Sequence, residues 1–103
     1  MRVDEVTAYV ESLPGVRRSG TDERPVWQLQ GRLVARLVDP TTLVVRVPLS
    51  AREAVLESDP DGFGVPPRFE AHHKVEVYLD RAAPDAVRTA IRLAWELQRD
   101  AAG

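Results

Sequence analysis

Residues Trp27 to Tyr78 read WQLQGRLVARLVDPTTLVVRVPLSAREAVLESDPDGFGVPPRFEAHHKVEVY, and this stretch decides the fold. Trp27 and Leu29 alternate with Gln28 and Gln30. After Gly31, Leu33, Ala35 and Leu37 alternate with Arg32, Val34 and Arg36; after Asp39-Pro40-Thr41-Thr42, Leu43, Val45 and Val47 alternate with Val44 and Arg46. A period of two over such short runs predicts half-buried strands. The connections are too short for the crossover that parallel strands require, so the three strands form an antiparallel meander. Ser50-Ala51-Arg52-Glu53 has the spacing of a capping box, which predicts a helix that starts at Ser50 and stops before Pro60. A loop from Asp59 to Arg68, anchored by Phe63, then leads to a fourth strand in which Val75, Val77 and Leu79 alternate with Glu76, Tyr78 and Asp80.

Upstream, Val3, Val6, Tyr9, Val10 and Leu13 fall on one helical stripe that Pro14-Gly15 ends. The polar VRRSGTDERP of residues 16–25 reads as a loop carrying Arg17 and Arg18. Downstream, Pro84 suits a first helical position. Val87, Ala90, Ile91, Ala94 and Leu97 form a broad apolar stripe opposite Arg88, Arg92 and Arg99, with Trp95 at the core edge. The expected fold is α+β, a single domain over residues 1–103. An antiparallel sheet of about four strands is packed on one face by N- and C-terminal helices, with an inserted helix between strands.

With 103 residues, 44% of them hydrophobic, the chain supports one core and not two. Cysteine is absent, which removes disulfides, thiolate nucleophiles and cysteine-based zinc sites. No apolar run approaches the ~18 residues of a membrane span, and Met1-Arg2-Val3-Asp4-Glu5 lacks a signal-peptide core, so a soluble cytoplasmic protein is expected. A net charge of −2 argues against a protein built around the phosphate backbone. All the basic residues but Lys74 are arginine, an excess that suits bidentate phosphate recognition and that high-GC codon usage also produces.

Adjacent His72 and His73 on a strand point to opposite faces and do not converge on a metal. Asp59, Asp61, Gly64 and Glu70 fall at calcium-loop spacing, but Phe63 stands where an oxygen ligand belongs and a strand follows where a helix should. No phosphate loop, nucleophile elbow or zinc helix motif occurs, so neither cofactor nor metal nor catalytic residue is expected. What remains is the sheet face away from the helices, where Gln28, Arg32, Arg36 and Arg46 are expected together. Arg17, Arg18, Arg32, Arg36, Arg46 and Lys74 are the candidate nucleic-acid-binding residues. The plain reading is a solvated face neutralised by Glu76 and Asp80. A second functional reading, a protein-interaction or chaperone-like adaptor, takes Val34 and Val44 as an exposed apolar patch.

SLPGV, VWQLQGRLVARL, TLVVRVPLSAREAVLESDPDGF, KVEVYLD and DAVRTAIRLAWEL occur in an order and spacing that resembles the MmcQ/YjbR-like family, from about Val6 to Leu97. Val75 departs from it, standing where similar proteins often carry a tryptophan after the basic residue. The resemblance implies a bacterial double-wing fold, related in shape to a phage transcription factor domain and to type III secretion chaperones. It also implies DNA binding and supplies no catalytic residues; the charge balance makes such binding weak and non-specific, and a monomer or weak dimer is expected.

Overall fold

Valine-rich alternation closes into one antiparallel sheet in the computed structural model, which describes residues 1–102. The elements in chain order are α1 (Val3–Ser12), β1 (Val16–Gly20), β2 (Pro25–Leu29), β3 (Arg32–Asp39), β4 (Thr42–Arg46) and α2 (Leu49–Ser58). They continue with β5 (Phe63–Gly64), a 3-10 turn (Pro67–Phe69), β6 (Lys74–Tyr78) and α3 (Pro84–Ala102). The six strands lie in the spatial order β1-β2-β3-β4-β6-β5. The α+β class and the meander are as expected, and the sheet is larger than the expected four strands. Residues 16–20 form an edge strand instead of a loop: four of the five side chains are exposed, so no apolar alternation marks it. Edge arginines at Arg17 and Arg18 also discourage pairing with a further strand. The two-residue β5 is too short to leave a periodic signal.

Turn chemistry sets the register. Gln30 and Gly31 both have positive φ, 50° and 79°, the two-residue I′ geometry that matches strand twist between β2 and β3. Between β3 and β4, Asp39 Oδ1 accepts from the Thr41 N–H at 2.9 Å. These bonds hold the Asp39 carboxyl below its ordinary pKa, the Thr41 backbone bond being the largest cause.

One hydrophobic cluster lies between the sheet and the helices. It joins Val6 and Val10 of α1, Trp27, Leu37, Leu43, Val45, Val75 and Val77 of the sheet, Val55 of α2, and Val87 and Ile91 of α3. Fully buried Trp27 donates its indole N–H to Glu11 Oε2 at 2.9 Å. Trp95 donates to the Pro14 carbonyl at 2.9 Å, which pins α3 to the end of α1. No described helix is long and apolar enough to cross a membrane.

Three local expectations are corrected. The pairing of β2 with β3 shifts register between Trp27 and Gln28, so that Leu33 opposes Gln28 while Ala35 opposes Trp27. The inserted residue, Val34, is fully buried in the same cluster as Ala35, and Leu33 is only half-buried. A bulge of this kind breaks strict alternation. On α3, the buried stripe ends with Trp95 and Gln98, while Leu97 remains exposed; Gln98 Nε2 donates to the Leu33 carbonyl at 2.7 Å, beside the bulge. Finally, α2 begins at Leu49 with Pro48 as its N-cap and no capping side chain of its own, so the capping box at Ser50 and Glu53 does not form. The bond comes from far along the chain: His73 Nδ1 accepts from the Leu49 N–H at 2.9 Å.

Candidate functional site

Strand direction sorts the charged residues. Arg32 opens β3, Arg46 closes β4 and Lys74 opens β6; because neighbouring strands run antiparallel, all three lie at one end of the sheet. At the other end, β3 closes on Asp39 and β6 is followed by Asp80, with Asp22 and Glu23 brought alongside by the β1–β2 turn. Hollows at that end are lined by Asp22, Glu23 and Asp39 with Arg24, and by Glu5 and Asp80 with Arg2 and the Met1 amino group. In a chain with net charge −2, the end with Arg32, Arg46 and Lys74 is thus locally basic, while the other end mixes both signs.

The six candidate residues are only partly assembled. Arg46 and Lys74 are direct register partners across β4 and β6, and Arg46 Nη1 donates to the His73 carbonyl at 3.2 Å. Both line a hollow of about 370 Å³ with Ala71, His72 and His73. Arg46 also borders a second hollow of about 210 Å³, where Arg32 meets Pro48, Leu97, Gln98 and Ala101. Arg32 does not share the outward row with Arg36: beyond the bulge it opposes Leu29, a core residue, and sits at the helix-side rim. Arg36 stays on the outward face between Val26 and Val44, and Arg17 opposes Gln28 on the exposed edge strand. Arg18 is removed from the set, because it opposes Trp27 and its Nε lies 3.2 Å from Glu11 Oε2.

Neutralisation differs from the expectation too. Glu76 is held by Arg68 at 2.9 Å and accepts from the Tyr78 hydroxyl at 3.2 Å. Among the described residues, Arg17, Arg32, Arg36, Arg46 and Lys74 have no carboxylate within ion-pair distance. The apolar patch expected at Val34 and Val44 is absent, since both are fully buried, Val34 in the core and Val44 between Arg36 and Glu76 in the register. Val75, at the position of the departure from the family pattern, faces the core and opposes Val45.

Two of the side chains singled out for metal, Asp59 and His73, have structural partners. His72 and His73 lie just before β6 rather than within it. Asp59 Oδ2 accepts from the Ala83 N–H at 2.7 Å, capping the start of α3 from the end of α2. Gly62 is required in that turn, because a Cβ there would lie 2.6 Å from Ala82. Among the described residues no three histidine or carboxylate side chains converge. Sequence reading missed Arg52, whose guanidinium donates to the carbonyls of Phe69, Glu70 and His72 at 2.9–3.0 Å and fixes the loop that carries the two histidines. Its partners are main-chain oxygens, which no residue type announces. The HHK run of residues 72–74 was the visible signal for the hollow.

No family model matches the chain, and no curated protein matches it. Among solved structures it is similar to the crystal structure of Deinococcus radiodurans protein DR2400, which carries the domain DUF419. The match has a TM-score of 0.74 at 21% identity and covers 92% of this chain and 76% of that one. At that identity the likeness is one of fold, an α+β arrangement of three helices on a six-stranded antiparallel sheet.

Proposed function

We propose that the chain is a cytoplasmic, MmcQ/YjbR-like, non-enzymatic module that binds nucleic acid weakly and without sequence preference, through the basic end of its sheet. The observation that carries this reading is the gathering of Arg32, Arg46 and Lys74, none engaged by a carboxylate among the described residues, around two hollows that share Arg46. Unneutralised arginine and lysine on a rigid sheet end is what phosphate-backbone contact needs, and it sets orientation without reading bases. The alternative reading, a protein-interaction or chaperone-like adaptor, keeps its near-neutral charge as a motive but not the exposed apolar patch, since Val34 and Val44 are buried.

Fluorescence anisotropy with a labelled DNA duplex tests the reading and its location together. The triple variant Arg32→Glu/Arg46→Glu/Lys74→Glu should lose binding, while Arg17→Glu/Arg36→Glu on the outward face should keep most of it. Equal affinity of the triple variant and the wild type would overturn the reading.

A further inference from the structure

Arg46 and Lys74 oppose each other in register, a placement in which like charges directly across a ladder destabilise a sheet. Inside the chain the relief is partial, since the Lys74 ammonium lies 5.5 Å over the Phe69 ring but meets no opposite charge. Among the described residues neither cation has a carboxylate within ion-pair distance, and Glu76, on the same strand as Lys74, is already taken by Arg68. Arg46 uses one of its five donor hydrogens on the His73 carbonyl. The hollow above the pair is walled by His72 and His73, and the latter ring is fixed by accepting the Leu49 N–H through Nδ1, so Nε2 is its remaining nitrogen. The loop carrying both rings is held by the three bonds of Arg52, so the site is organised before any ligand arrives.

We propose that the hollow bounded by Arg46, His72, His73 and Lys74 is a site for a dianionic phosphate monoester. This deepens the nucleic-acid reading and rests on the same positive end of the sheet. A dianion matches the two formal charges facing each other; a carboxylate or an internal phosphodiester brings only one. The guanidinium offers a fork of N–H groups, the ammonium a mobile point charge, and the imidazoles further ring donors, a set suited to the several oxygens of a terminal phosphate. Two sources carry this group: the phosphorylated end of a nucleic-acid strand and a small phosphorylated metabolite.

The test compares one labelled single-stranded oligonucleotide with and without a 5′-phosphate, and follows thermal melting with glycerol 3-phosphate as the small monoester. The 5′-phosphate should tighten binding about tenfold, the scale of one additional charge-assisted contact. Lys74→Gln should abolish that gain. A gain confined to the oligonucleotide assigns the strand end as the source. A melting shift with glycerol 3-phosphate, lost in Lys74→Gln, assigns a small metabolite; if no oligonucleotide binds at all, the site stands and the nucleic-acid reading falls. Equal binding of both oligonucleotides with no shift from glycerol 3-phosphate overturns the site and leaves the nucleic-acid reading intact. A phosphate preference that survives in Lys74→Gln overturns the placement.

Discussion

The guanidinium of Arg52, on α2, ties down three main-chain carbonyls of the loop before β6, those of Phe69, Glu70 and His72. Such charge-assisted bonds in a partly buried setting support Arg52→Met costing about 1–3 kcal/mol in a urea melt. Arg52→Lys should recover only part of it, because a single ammonium cannot reproduce the planar fork. Tyr78, on β6, offers a second residue-scale test. Burial first, and then the Glu76 carboxylate that its hydroxyl donates to, raise its phenol pKa, while Arg81, stacked 4.4 Å over the ring, opposes the shift. A raised folded-state value means that the neutral phenol is favoured by folding. That contribution is complete below the unfolded-state pKa and disappears as pH rises through the folded one. Ultraviolet titration of wild type against Tyr78→Phe should therefore assign to Tyr78 a midpoint above the ordinary phenol value; a midpoint at or below it would remove burial as the dominant influence. Gly64 makes room for this ring, since a Cβ there would lie 2.5 Å from the Tyr78 hydroxyl.

At the scale of elements, α3 is committed to the core. Ile91 is fully buried in the cluster that holds Leu37 and Val45, and Ile91→Ala should cost about 2–5 kcal/mol in denaturant melts. Leu97 and Gln98 invert what their polarity suggests: Leu97, 36% exposed, should lose less on truncation to Ala than Gln98, about 1 kcal/mol or below. Gln98→Ala, which removes the buried bond to the Leu33 carbonyl, should cost about 1–3 kcal/mol. The reverse ranking of that pair would mean that α3 is rotated by a residue position from the arrangement described. The same pair shows what was legible in the sequence. Strands β2, β3, β4 and β6 and helices α1 and α3 were readable because alternation and the helical stripe are written in apolar residues with short, marked turns. The bulge at Val34 was not, because one inserted residue leaves two strand halves that each look regular, and that slip carried Arg32 from the outward face to the rim. Edge strand β1 and the distant cap of α2 by His73 were hidden for a related reason. The first has solvent on most of its side chains, and the second depends on a partner 24 residues along the chain.

At the scale of the molecule, segregation of charge matters more than its total. Extents of 30 × 28 × 25 Å place the Asp39 end and the Arg46 end of the sheet farther apart than the ~8 Å Debye length at physiological ionic strength, so a ligand at one end is largely screened from the other. The net charge of −2, which by itself disfavours nucleic acid, then gives way locally to Arg32, Arg46 and Lys74. Their small number limits what binding can look like. Three cations release about three counterions from duplex DNA, which predicts a log–log salt slope near −2.7 and dissociation constants of about 10⁻⁴–10⁻⁶ M. Sequence selectivity should be slight, since the longest helix turns its broad apolar face to the sheet and the arginines of its outer face, Arg88, Arg92 and Arg99, are paired with Asp85, Glu96 and Asp100. Anisotropy across a salt series, with two duplexes of unrelated sequence, measures both quantities at once. A slope steeper than about −5 would require phosphate contacts beyond this end of the sheet, bringing Arg17 and Arg36 on the outward face back into the site. Nanomolar, sequence-dependent binding at physiological salt would defeat the charge argument altogether, because three phosphate contacts without base readout do not supply that affinity.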